Sequence, residues 1–253
     1  GANALFADLF LGPRYVLRGF RLIGRPGLRR FFLIPLCINI FVFVALIWLA
    51  VAHYASLTEW LLPFEDTWWV LIARKFLWLL FALTVGIVLF FSFSLVANLI
   101  AAPFNERLAQ RVEQVLGGAG DRPGDIQPVA VSNAWGSFAN ELRKLAYFIA
   151  VLTIALIMTL IPLLNLIAPF VWIVVGCWML ALEYLAYPME NHAMSFAQVR
   201  HAARARRALT LSFGAGVMAA TLVPGVNLAV MPASVAGATA MWLDRWRRHV
   251  PQD

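Results

Sequence analysis

"FFLIPLCINIFVFVALIWLAVA", residues 31–52, decides the fold. It holds no Asp, Glu, Lys or Arg, and Asn39 is its one amide side chain. A run of about 20 apolar residues is what a helix needs to cross a hydrocarbon core of roughly 30 Å. The whole chain supports that reading. Of 253 residues, 62% are hydrophobic, more than a soluble protein of this length could hide from water. Lipid must therefore solvate much of the surface. Aromatic residues make up 13%, ten of them tryptophan, a composition suited to the two membrane–water interfaces. Pro35 near the start of the run predicts a kink, or a short first turn divided from the main helix.

Working outward from this first span, residues 53–68 contain His53, Glu59, Glu65 and Asp66 but no Lys or Arg, which places that loop outside by the positive-inside rule. A second span follows over 70–102, with Arg74 and Lys75 near its start and no charge from Phe76 to Ala102. It continues into "PFNERLAQRVEQVL", 103–116, an amphipathic segment carrying Glu106, Arg107, Arg111 and Glu113. Residues 117–128, "GGAGDRPGDIQP", read as loop. Amphipathic helices and this loop thus occupy 103–141. At the other end, "LFADLFLGPRYVLRGFRLI", 5–23, places Leu5, Leu9, Val16 and Phe20 on one side and Arg14, Arg18 and Arg21 toward water. That pattern predicts a helix lying in the interface, broken at Gly12-Pro13. Residues 5–30 are too rich in arginine for a cleavable signal, so the first span is expected to insert by itself.

The remaining apolar sequence contains a near-repeat. "IPLLNLIAP" at 161–169 and "VPGVNLAVMP" at 223–232 share Pro-x-x-Asn and a later Pro: Pro162 with Asn165, and Pro224 with Asn227. Each divides an apolar segment into two arms. The arms of 142–188 reach roughly 25 Å, and the shorter arm of 208–243 only about 17 Å. Such lengths favour two re-entrant hairpins over four full crossings. Backbone groups freed at a turn inside the bilayer need partners, and Asn165 and Asn227 are the candidates to supply them. Gly214, Gly216, Ala219, Ala233, Ser234, Gly237 and Ala238 make the second hairpin a close-packing element, buried in the protomer or an oligomer. The fold predicted is a single all-α integral membrane domain over 1–253. It has two long transmembrane helices, two hemi-penetrating helical hairpins and an N-terminal interfacial helix.

Several functions are excluded by what is missing. No HExxH, G-x-S-x-G or P-loop occurs, and no G-x-G-x-x-G follows a strand, so neither an enzyme nor an ATP-driven pump is indicated. His53, His192, His201 and His249 are scattered at helix ends and read as interfacial residues; no metal site or cofactor is expected. Cys37 and Cys177 read as small hydrophobes. The net charge of +7 suits anionic lipid headgroups rather than nucleic acid.

Two features could carry chemistry. "RPGLRR", 25–30, precedes the first span. Pro26 suits a first helical turn, Gly27 leaves room beside the backbone, and the N–H groups of Gly27, Leu28 and Arg29 would lack intrahelical acceptors. Arg29 and Arg30 add two guanidinium forks matched to an oxyanion. The same arginines are also what a topology signal looks like, and the residues alone leave both readings open. The second feature is the set of costly polar residues at membrane depth: Asn39, Asn98, Asn105, Glu106, Arg107, Arg111, Glu141 and Glu183. Each reads first as a hydrogen bond from helix to helix, and second as the lining of a path.

Three stretches taken in order, "GLRRFFLIPLCINI", "NLIAAPFNERLAQRVE" and "YPMENHAMSFAQVRHAARARRALTLSFGAG…VPGVNLAVMPASVAGATAMWLD", resemble the CysZ family of bacterial inner-membrane sulfate permeases over nearly the whole chain. The resemblance implies sulfate uptake for cysteine synthesis through a homo-oligomer, in a fold of two long spans and hemi-penetrating hairpins. It implies sulfate binding at Gly27, Leu28 and Arg29, with Arg30 beside them. The candidate conduction path is Asn98, Asn105, Glu106, Arg107 and Arg111. It also implies protomers in opposed orientations, whereas the one-sided Lys/Arg bias here points to a single orientation. The alternative function is a non-transporting scaffold or regulator that binds anionic lipid or a partner.

Overall fold

The structure, a computed structural model, describes residues 2–61, 67–117 and 134–247. Glu65 and Asp66 of the expected outer loop, nearly all of the 117–128 loop, and His249 lie outside the described residues, as do the side chains of Asn98 and Glu141. The described residues are helical, with no strand among them: α1 (Ala2–Ile23), α2 (Arg30–Leu61), α3 (Trp68–Gly117), α4 (Ala134–Leu160), a 3-10 turn (Leu164–Leu166), α5 (Ala168–Glu190), α6 (Phe196–Ala205), α7 (Arg207–Thr221) and α8 (Asn227–Arg245). Among the described residues, four stretches are long and apolar enough to cross a membrane: Arg30–Tyr54, Trp68–Val88, Leu142–Leu160 and Ala168–Glu190. The chain folds as two compact units, Leu33–Phe104, and Gly1–Phe32 with Asn105–Asp253.

The Leu33–Phe104 unit is the α2–α3 pair. Apart from Pro35 and Val70, its described side chains are exposed or half-buried. Phe41 is 74% exposed and Trp48 71%, so this unit turns apolar surface outward on all sides. Helices apolar all round need lipid or protein as their solvent. Tyr54 ties the pair together, its ring centroid 4.9 Å from that of Phe81 and its hydroxyl donating to the Arg74 carbonyl at 3.4 Å. α2 runs unbroken from Arg30 through Pro35, with no separate first turn. α3 is likewise one helix of 50 residues, continuous through Pro103. The amphipathic segment expected after 102 is its C-terminal part.

The larger unit is built on small residues. Gly19 of α1 lies against the Ala233 carbonyl and Gly237 of α8, and Gly214 of α7 against the Cys177 carbonyl of α5. Without a Cβ the backbones approach closely, as the small-residue spacing of the second hairpin predicts. Val230 and residues 232–242 of α8 are buried. α1 departs from expectation. It is continuous through Gly12-Pro13, where α7 packs onto it, with Gly12 against Ser212 and Phe213 and Pro13 beside Gly216. It also buries Tyr15, Val16, Leu22 and Ile23 in the protein core. Asp244 at the end of α8 accepts from Tyr15 Oη at 3.1 Å and pairs with Arg18 at 2.6 Å. Arg245 Nε donates to the same phenol at 3.2 Å. Burial pushes the Tyr15 phenol up from its ordinary range, opposed by the Arg245 donor, and that hydrogen bond raises Arg245 in turn.

The hairpin tips are held by backbone alone. Asn165 N–H donates to the Ile161 carbonyl and Asn227 N–H to that of Val223, each at 3.1 Å. Neither asparagine side chain caps a helix. The tightening is taken up by Leu163 and Gly225, at φ 74° and φ 81°. Glycine adopts such a φ without strain and leucine does not. Both tips are exposed, Leu163 by 83% and Leu222 by 80%.

Candidate functional site

The candidate anion corner begins where α1 stops. Gly27 turns the chain with φ 89° toward α2, and a Cβ placed there would meet nothing within 4 Å. The open backbone expected at Gly27 is present. The free amides are fewer than expected. Leu28 N–H donates to the Arg25 carbonyl at 3.1 Å and Arg29 N–H to the same oxygen at 3.2 Å. The Arg25 carbonyl thus closes the turn, leaving Gly27 and Arg30 as the N–H groups here without a backbone partner. Sequence reasoning missed that role, because a carbonyl five residues before the helix carries no signature in residue type.

The four residues divide in what they do. Leu28 is 1% exposed and joins Leu22, Ile23, Leu108 and Val112 in one buried cluster. Its side chain anchors the turn, and its neighbours face outward. Gly27, Arg29 and Arg30 are exposed. Neither Arg29 nor Arg30 has a carboxylate partner among the described residues; the Arg30 guanidinium stands 5.0 Å from the centre of the Phe31 ring. Phe31 itself packs on the core, so that arginine is braced from below.

The same core carries the second candidate region. Asn105 is 2% exposed; the Tyr187 hydroxyl lies beside its side chain, yet no hydrogen bond of good geometry satisfies its amide nitrogen. Such a group is costly in apolar surroundings unless a ligand or water meets it. Glu106, Arg107 and Arg111 are exposed, and Arg111 donates to Gln114 at 2.7 Å. Asn98 lies in α3. The structure therefore brings Asn105, Glu106, Arg107 and Arg111 onto one helix and buries Asn105 alone.

A polar seam then fastens this helix to the turn after α5, a pairing that no spacing in the sequence announced. Asn191 donates to the Glu106 carbonyl at 3.3 Å, Gln110 donates to the Asn191 amide oxygen at 3.5 Å, and His192 meets Glu113 at 3.0 Å. Asn140 of α4 donates to Glu190 at 3.3 Å and accepts the Phe196 N–H at 2.8 Å. Ala193, at φ 57°, ends α5 in a Schellman arrangement: its N–H reaches the Glu190 carbonyl, and that of Met194 the Met189 carbonyl. The turn passes into α6 through a capping box between Ser195 and Gln198. Nearby, Lys144 pairs with Glu183 at 3.0 Å, the lysine side chain 11% exposed. Glu183→Gln should lower stability by about 1–3 kcal/mol, because a largely buried ammonium loses the Glu183 carboxylate it donates to. The double variant Lys144→Met/Glu183→Gln should regain part of that loss. Thermal unfolding of the purified protein in detergent measures both. Among the described residues no group of three His, Cys, Asp or Glu could hold a metal ion.

Comparison with known proteins gives a consistent picture. Residues 15–232 match the family model described as "Sulfate transporter CysZ/Etoposide-induced protein 2.4". The chain is 39% identical over 232 residues to "Sulfate transporter CysZ" of Pseudomonas aeruginosa (strain LESB58), covering 92% of this chain and 94% of that protein. It is 38% identical to the protein of the same name from Pseudomonas fluorescens (strain Pf0-1), covering 94% of each. For that of Pectobacterium atrosepticum the identity is 35%, with 93% and 86% covered. With its four membrane-capable helices, this multi-pass membrane protein belongs to the Sulfate transporter CysZ/Etoposide-induced protein 2.4 family.

Proposed function

We propose that the chain takes up sulfate across the bacterial inner membrane, as a channel or permease, to supply sulfur for cysteine synthesis. The observation that carries the reading is the corner at Gly27–Arg30. An open glycine backbone and two exposed guanidiniums, without carboxylate partners among the described residues, stand there on a turn anchored by Leu28. An oxyanion accepts hydrogen bonds from guanidinium forks bidentately, and a positive site at the start of a helix favours its charge. From this corner the ion passes along the polar positions of α3, Asn98, Asn105, Glu106, Arg107 and Arg111. Among the described side chains of that route, Asn105 is the buried amide.

The topology that suits this reading has α2 and α3 as full spans and the α4–α5 and α7–α8 pairs as hairpins entering part way. α7 has 15 residues, roughly 22 Å of helix, short of a full core. Pro162, Asn165, Pro224 and Asn227 then form tips at depth. The exposed leucines there, with the outward apolar surface of α2 and α3, support burial against lipid and against further copies in a homo-oligomer.

Reconstituted into liposomes, the protein should accumulate radiolabelled sulfate. Thiosulfate, sulfite, selenate and molybdate added as competitors report selectivity, and chloride should compete poorly because it cannot satisfy a fork of donors arranged for a tetrahedral ion. Runs with and without a proton gradient separate passive from coupled flux. Absence of accumulation across several pH values would leave the chain as a lipid- or partner-binding scaffold.

A further inference from the structure

A cleft of about 440 Å3 lies away from the anion corner, between α4, α5 and the α6–α7 junction. Its polar lining is Tyr147, Trp178, Arg204 and Arg207; its apolar lining includes Val151, Val174 and Leu211. Arg204 and Arg207 are exposed, and neither has an acidic partner among the described residues. Trp178 Nε1 donates to Tyr147 Oη at 3.0 Å, and the Arg200 guanidinium covers the Tyr147 ring at 4.8 Å. That guanidinium is engaged, which leaves Arg204 and Arg207 as the free cations of the cleft.

Polarity is ordered along the cleft. Val151 is one helical turn nearer the 161–167 tip than Tyr147, and Val174 is one turn nearer that tip than Trp178. Leu211 is likewise one turn nearer the 222–226 tip than Arg207. α5 and α7 are antiparallel, with Gly214 against Cys177 and Met218 against Gly176, so the two tips point the same way. Basic and aromatic groups therefore share one end of the cleft and apolar groups the other. This is the order of an interface: guanidiniums at headgroup level, Trp and Tyr at the boundary, aliphatic side chains toward the hydrocarbon.

We propose that this cleft is a binding site for an anionic phospholipid, with the phosphate on Arg204 and Arg207 and an acyl chain along Val151, Val174 and Leu211. Charge complementarity selects the occupant. Two uncompensated guanidiniums favour a headgroup with net negative charge over a zwitterionic one, and the apolar floor gives nothing to a small soluble anion.

The test is native mass spectrometry of the full-length protein, released from detergent with phosphatidylglycerol, with phosphatidylcholine of the same chains, or with glycerol 3-phosphate. Phosphatidylglycerol should be retained in preference to both others. Arg204→Gln/Arg207→Gln should lower its apparent affinity about tenfold or more. Val174→Trp fills the floor at an exposed position, keeps both arginines, and should lower retention as well. Equal retention of phosphatidylcholine would overturn the site, as would unchanged phosphatidylglycerol retention in either variant. Equally tight binding of glycerol 3-phosphate, or a loss seen with the arginine variant but not with Val174→Trp, would mean a soluble-anion site and would also overturn it.

Discussion

Arg29→Ala/Arg30→Ala protein, inserted and folded, should bind and transport sulfate at least about a hundredfold less well than the wild type. Hydrogen bonds to a charged group contribute roughly 1.5–3 kcal/mol each, and two guanidiniums would give 3–6 kcal/mol if the site were dry. Both side chains are exposed, so solvent and salt screen them, and the lower end of that range applies. About 3 kcal/mol corresponds to roughly two powers of ten in affinity. Folding should be spared. Neither arginine belongs to the buried cluster, and Leu28 continues to hold the turn. Scintillation proximity binding with labelled sulfate, beside size-exclusion chromatography of the same sample, reads both quantities. Undiminished affinity in a well-folded double variant would leave the twin arginines as a topology signal only. A single Arg30→Ala change should cost less than the pair, since Arg30 also leans on Phe31 and part of its role is packing.

Gly214→Val should have the largest effect on stability. A Cβ on Gly214 would overlap the Cys177 carbonyl, which is backbone in the middle of α5 and cannot swing aside as a side chain could. The two helices would have to separate, and Phe213, Leu209 and Val217 beside it are all fully buried. Overpacking against rigid backbone typically costs 1–3 kcal/mol, and here about 3 kcal/mol or more is expected, a large fraction of a membrane domain's reserve. The measurable outcome is little or no monodisperse protein after extraction, or a midpoint of thermal unfolding well below that of the parent. Gly216→Ala, whose Cβ would stand 3.0 Å from Pro13 Cα, should be milder, since α1 need shift only by a few tenths of an ångström. If Gly214→Val behaved like the parent, close backbone packing of α5 on α7 would not be what holds this unit together.

Much of the architecture was legible before any coordinates. Uncharged runs longer than a bilayer core, such as 31–52, announce helices in lipid, because backbone polar groups there must be satisfied within the helix. Small residues at 214, 216, 233 and 237 announced the tightly packed hairpin for an equally local reason. The break expected at Gly12-Pro13 does not occur, nor does the separate first turn that was one of two outcomes expected at Pro35: both prolines lie inside continuous helices. A missing N–H and a ring clash are local costs, and neighbouring helices that clamp the segment, as α7 does at Pro13, outweigh them. Asn165 and Asn227 were over-read in a similar way, since main-chain carbonyls within reach already took up the tip amides.

At the Gly27–Arg30 turn, residue type was enough to mark Gly27, Arg29 and Arg30 as basic and open ahead of a long helix. It could not show that the Arg25 carbonyl closes that turn, that Leu28 is an anchor in the core, or that α3 joins the 190–196 turn through Asn191, His192 and Glu113. The difference is physical. Hydropathy, charge and the absence of a Cβ act on the residue that carries them, so they can be read along the chain. Which carbonyl meets which amide, and which arginine keeps a free face, depend on helices far apart in sequence coming together. Only the tertiary structure decides those.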